Sequence, residues 1–101
     1  MVKAQKCCRR YQGYVPQIVI VAPAAILPDY QGTIFDFQLD DSSVQKSHEL
    51  APLFQQVAQE HDCLFLDVTD AVEVSSADCL HLTVKGHAQL ADFLAELIES
   101  L

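Results

Sequence analysis

Ile18-Val19-Ile20-Val21 is a run of β-branched residues with no polar residue alternating among them. A strand with one wet face reads apolar–polar–apolar, so an unbroken run of this kind belongs in a parallel sheet covered on both faces. The run extends from Gln17 to Ala22, and Pro23, with no N–H to give a ladder, ends it. A second short apolar run, Cys63-Leu64-Phe65-Leu66, ends at Asp67. Between the two, Leu50, Leu53, Phe54, Val57 and Ala58 recur at the spacing of one helix face, which predicts a helix from about Ser43 to His61. Pro52 either kinks that helix or marks the first turn of its main part. Thr83 is a good N-cap for a last helix, whose apolar face is Ala88, Ala91, Leu94 and Ile98 with Leu90, Leu97 and Leu101. The order β-loop-α-β-loop-α predicts the α/β class with a parallel sheet. Two strands are too few for a doubly wound domain, so the chain reads as the last part of one.

Half of the 101 residues are apolar and no low-complexity tract occurs, which is globular composition and room for one domain at most. Charge is divided along the chain. Lys3, Lys6, Arg9 and Arg10 fall in the first ten residues, and all fourteen acids lie at or after Asp29. A net charge of −8 argues against nucleic acid as a partner, and the basic start reads as a solvated helix face or frayed end. Cys7, Cys8, Cys63 and Cys79 form no C-x-x-C pair, so neither a zinc site nor a disulfide framework is expected. Reduced thiols in the cytoplasm are the simpler reading. Lys3–Arg10 followed by the apolar stretch to Leu27 superficially resembles a signal peptide, but Pro23 interrupts it. No stretch approaches the ~20 apolar residues that span a bilayer, so no membrane is expected.

Two irregular stretches, 23–42 and 68–82, leave the carboxyl ends of the predicted strands, where open parallel sheets bind their ligands. The second holds Asp78-Cys79-Leu80-His81. An acid three residues before a histidine, in a loop opening onto a helix, sets a carboxylate against an imidazole. Those are two parts of a hydrolytic triad, the histidine as general base and the aspartate as the group orienting it. An ordinary turn aspartate and a backbone-bonded loop histidine give the same spacing. Cys79 beside His81 also has the residue type of a thiol nucleophile, although no third partner is evident. Only three glycines occur and none makes a phosphate loop, which weighs against a flavodoxin-like binding domain.

The segment Ser75 to Ala88, S-S-A-D-C-L-H-L-T-V-K-G-H-A, resembles the C-terminal signature of SGNH (GDSL-type) hydrolases, in which D-G-x-H leads into a helix opening with a Gly-His pair. Ile18 to Pro23 is similar to that family's penultimate strand, and Lys46-Ser-x-x-Leu-Ala-Pro52 and Phe65-Leu-Asp67 to the next helix and last strand of its arylesterase branch. The resemblance covers roughly residues 15–98. It implies the C-terminal part of a flavodoxin-like three-layer α/β/α fold, with residues 1–101 a single partial domain. It implies ester hydrolysis by a serine, with His81 the catalytic base and Asp78 its support, no cofactor or metal, and a small-molecule ester as substrate. His87 matches a helix histidine without a catalytic role, expected to pack or cap, and Asp67 is expected to bond the following turn.

Two departures stand out. The family's glycine after the aspartate is Cys79 here, which at a positive φ costs about 1–2 kcal/mol. The family's G-D-S serine, its following glycine and its G-x-N-D oxyanion segment are absent, and Ser42, Ser43, Ser47, Ser75, Ser76 and Ser100 lie in no such context. The chain is therefore expected to lack activity on its own. The contrasting expectation is a non-catalytic α/β interaction module. Both expect an exposed sheet edge, served by a homodimer or by an N-terminal complementing chain.

Overall fold

The computed structural model describes residues 16–101. The expectations for Lys3 to Arg10, Cys7 and Cys8 lie outside those residues. Strand β1 (Val19–Ala22) and strand β2 (Leu64–Asp67) run parallel, with Val19 opposite Leu64 and Ala22 opposite Asp67. Helix α1 (Asp41–Glu60) carries the chain back between them, and helix α2 (Val84–Glu99) follows β2. The protein is α/β with a parallel sheet, as the sequence order predicts.

Helix α1 starts two residues before the sequence pattern predicts, because Asp40 closes a capping box. Its Oδ1 accepts from the Ser43 N–H at 2.9 Å, and the Ser43 hydroxyl accepts from the Asp40 N–H at 3.2 Å. The Ser42 hydroxyl, followed by the Ser43 amide, holds the Asp40 carboxyl below the usual carboxylate range. The helix passes through Pro52 unbroken, at the cost of one backbone bond. It stops in a Schellman motif: the Cys63 N–H reaches back to the Ala58 carbonyl at 2.8 Å and the Asp62 N–H to that of Gln59, with Asp62 at φ +53.

The sequence places the strands in a two-faced interior, and the described residues depart from that. Val19, Ile20, Val21, Leu64, Phe65 and Leu66 are only half-buried. The buried apolar residues are mostly small (Ala22, Ala25, Ala51, Ala58, Val68, Val72), joined by Tyr30, and the bulkiest fully buried side chain is that of Cys79. The reason is layering. Helix α1 lies across both strands, but α2 has no comparable packing on either and is instead tied to the loop before it.

The predicted helix faces shift accordingly. In α1 the buried stripe is Ser47, Ala51 and Ala58, whereas Leu53 is 58% exposed and Val57 also faces solvent, since two strands are narrower than the apolar face. In α2, Ala88, Ala91, Ile98 and the following Leu101 are exposed, and the half-buried stripe runs through Leu90, Phe93, Leu94 and Leu97. Among the described residues no helix is long and apolar enough to cross a membrane.

Candidate functional site

The loop after β2 is built as a narrow hairpin. Asp67 turns the chain out of the strand, its Oδ1 accepting from the Thr69 N–H at 2.9 Å and from the Thr69 hydroxyl, the bonding expected of it. Val74 and Leu82 then form an antiparallel bridge, flanked by Ser75 N–H to His81 carbonyl (2.8 Å) and Thr83 N–H to Glu73 carbonyl (3.2 Å). The tip is Ser76 to Leu80, with the Cys79 N–H closing onto the Ser75 carbonyl at 2.8 Å.

At that tip Cys79 adopts φ +61. The left-handed residue folds the next two amides back onto the side chain before it, so Asp78 Oδ1 accepts from the N–H of Leu80 at 2.9 Å and of His81 at 3.0 Å. Its other oxygen, Oδ2, lies 2.7 Å from His81 Nδ1. The two expected site residues are therefore brought together. The amides of Leu80 and His81, then the imidazole, hold the Asp78 carboxyl down to about 2. An ionised carboxylate only accepts, so Nδ1 carries the hydrogen, and in the neutral imidazole it is Nε2 that has the lone pair. The Asp78 side chain is 17% exposed and that of His81 68%. The pair is an oriented imidazole with its free nitrogen accessible, the arrangement a general base requires.

The sign of the pH response follows. A carboxyl whose pKa is depressed on folding stabilises the fold above its unfolded value near 3.9, and loses that contribution as pH falls through the folded value. The Asp78 carboxyl is expected to titrate near pH 2 by carbon-detected NMR, with stability declining between about pH 4 and pH 2. A midpoint near 4 would mean that the amide and imidazole bonds are not formed.

Cys79 is fully buried, its thiol lies 4.0 Å from the Ser76 carbonyl, and burial, followed by the charges of Asp29 and Asp78, pushes its pKa up. A reactive thiolate needs the opposite environment. Cys79 is thus a core side chain on a backbone that favours glycine. Elsewhere glycine is less stable than alanine, but here alanine keeps the strained Cβ. Cys79→Gly is expected to be more stable than Cys79→Ala by about 0.5–1 kcal/mol in urea melts. The reverse order would show that the loop relaxes out of the left-handed region.

Five of the six serines hold structural positions. Ser42 and Ser43 cap α1, and the Ser75 hydroxyl accepts from Ala77 N–H. The Ser47 hydroxyl accepts from Ile26 N–H while donating to the Val44 carbonyl, and that of Ser100 donates to the Leu97 carbonyl. Among the described residues no hydroxyl or thiol hydrogen-bonds the His81 imidazole.

Three contributors carry little sequence signal. The 23–40 loop is sewn to the second loop by Ala25 N–H to Thr69 carbonyl (2.9 Å) and Leu27 N–H to Cys79 carbonyl (3.0 Å). It is also anchored by buried Tyr30, whose hydroxyl donates to Asp41 Oδ1 at 3.0 Å. So held, it sets the Phe35 ring 5.8 Å from that of His81, inclined at 45°. Gly86 is the third: a Cβ there would stand 2.1 Å from the Glu73 carbonyl oxygen. A glycine in the first turn of a helix, with no turn to make, is the one sequence sign of such an approach.

A solved crystal structure superposes on 99% of this chain with a TM-score of 0.84 and 25% sequence identity. This chain spans 46% of that protein's length. No family model matches the sequence, and no curated protein does.

Proposed function

We propose that this chain is the C-terminal, base-carrying portion of an SGNH-type ester hydrolase. In this reading His81 takes the proton from an attacking serine hydroxyl through Nε2, and Asp78 holds the imidazole by Nδ1 and stabilises the imidazolium. The observation that carries the reading is the 2.7 Å contact between Asp78 Oδ2 and His81 Nδ1 at the tip of a loop leaving the carboxyl end of a parallel strand. The serine and the oxyanion donors belong to a part of the fold whose motifs this sequence lacks. A small-molecule ester is the substrate of the complete assembly. The free thiols of Cys63 and Cys79 fit a reducing, cytoplasmic setting.

The purified chain is expected to hydrolyse short p-nitrophenyl esters no faster than buffer with matched imidazole, because preorganised oxyanion donors supply a leading share of such catalysis. Activity lost on His81→Ala would show that the chain holds its own nucleophile. The parent chemistry is tested by the coding sequence upstream of Met1. A strand followed by G-D-S there supports it, provided that co-expression of the two parts yields esterase activity that His81→Ala removes. A co-folded assembly without activity would sink it.

A second reading, a non-catalytic α/β interaction module, is favoured by the half-buried strands. Their outer edge and the apolar surface left uncovered among the described residues suit pairing with another copy or with a complementing chain.

A further inference from the structure

A single hydrogen bond fixes a distance and leaves a hinge. Asp78 Oδ2 holds His81 Nδ1 at 2.7 Å, but an imidazole tied at one atom still turns about that contact, since its second torsion is broad. With 68% of its side chain exposed, His81 gains little restraint from general packing. A base that presents Nε2 along one line needs a second point of contact. Phe35 supplies one. Its ring centroid stands 5.8 Å from that of His81 with the planes at 45°, inside the range of about 4.5–7 Å for tilted aromatic pairs.

The first loop brings this residue, and not its neighbours, to the imidazole. Phe35 is half-buried, whereas Ile34 is 72% and Phe37 81% exposed in the same turn. The turn also holds its own shape. The Tyr30 carbonyl accepts from the Thr33 N–H at 3.1 Å and from the Thr33 hydroxyl at 2.6 Å. The Asp36 carboxylate accepts from the Gly32 N–H at 3.0 Å, a bond that the φ of +83 at Gly32 permits. The Phe35 carbonyl accepts from the Gln38 N–H at 2.9 Å, closing a short 3-10 turn over Asp36–Gln38.

We infer that Phe35 is a positioning residue for the Asp78–His81 pair: its ring bears on the imidazole and fixes the direction in which Nε2 points. The inference rests on the hydrolase reading for what Nε2 does, and on the ring contact alone for how the imidazole is held. The contact acts in the same sense when the imidazole is charged, because a cation within about 6 Å of an aromatic ring is attracted to it. Asp78 thus sets the tautomer and Phe35 the plane.

The test is proton and nitrogen NMR of the full chain beside Phe35→Leu, Phe35→Tyr and Phe37→Leu. Leucine keeps the apolar bulk and removes the ring, tyrosine keeps the ring, and Phe37 is the control in the same turn. In the wild type, NOEs between the Phe35 and His81 rings are expected. In alkaline buffer, where the imidazole is neutral, its two nitrogen shifts give the ratio of the Nδ1–H to the Nε2–H form. Phe35→Leu should lower that ratio roughly two- to tenfold. Phe35→Tyr should restore it and Phe37→Leu leave it unchanged. The Leu27 amide, bonded to the Cys79 carbonyl, should keep its protection from hydrogen exchange in all of them. Lost protection in Phe35→Leu would assign the effect to the loop and overturn the role of the ring. An unchanged ratio, an equal fall in Phe37→Leu, or a tyrosine variant that behaves as leucine would overturn it too. If Phe35→Leu does not fold, the wild-type NOEs between the rings decide, and their absence sinks the assignment. Failure here is separable from failure of the hydrolase reading. An Asp78–His81 pair that is intact and indifferent to Phe35→Leu removes the positioning role and leaves the hydrolase. The expected variant series beside an inactive co-folded assembly does the reverse.

Discussion

Gly86→Ala is expected to be the most damaging single-methyl change in this protein. The added carbon would stand 2.1 Å from the Glu73 carbonyl oxygen, 3.1 Å from its carbon and 3.2 Å from the Leu82 Cβ. None of these neighbours is the free end of a side chain. The Glu73 carbonyl is fixed by the Thr83 N–H at 3.2 Å, its amide donates to Gln89 Oε1 at 2.8 Å, and its Oε1 accepts from the Thr83 hydroxyl at 2.7 Å. The helix must therefore move off the loop, carrying the base of the Asp78–His81 hairpin with it. Overpacking of this kind costs about 1–3 kcal/mol or more, a large share of the stability of a thin-cored fold. A urea midpoint within error of the parent's, with the His81 ring shifts unchanged, would show that the helix yields without cost.

Melting of the chain is expected to depend on its concentration. Among the described residues the sheet has two strands with half-buried side chains and unpaired outer edges, and such a sheet is marginal alone. Association, through β1 with a second copy or with a complementing chain, supplies what the interior lacks. Tenfold more protein then stabilises a dimer by about 1.4 kcal/mol, or several degrees in Tm for a domain of this size. Light scattering alongside melts at several concentrations decides the matter. Monomer mass throughout, with a sharp transition at an unchanged midpoint, would rule association out.

The elements that the sequence makes legible are those whose cause is local. The β-branched run, the capping threonine and the D-x-x-H spacing each act over a few residues, and each lies where the pattern puts it. The expectations that shift depend on what packs against them. Leu53, Val57 and Ile98 satisfy a helical period yet face solvent, because periodicity identifies an apolar face without saying whether a partner covers it. Asp41 and Ser42 read as loop until the reciprocal Asp40–Ser43 bonds recruit them into α1. Phe35 approaches His81 only through Tyr30 and the backbone of two loops, a route that no sequence window spans.

The bonds from Ala25 to Thr69 and from Leu27 to Cys79 make the two loops one cooperative unit. Opening either one breaks bonds to the other. Releasing the first frees the carbonyl of the left-handed residue that aims the Leu80 and His81 amides at Asp78. The orientation of the imidazole is thus governed by the local unfolding free energy of a segment that is distant in sequence and contributes no acid or base. Substitutions around Leu27 are then expected to alter the fraction of time for which the Asp78–His81 bonds are held, although Leu27 makes none of them itself.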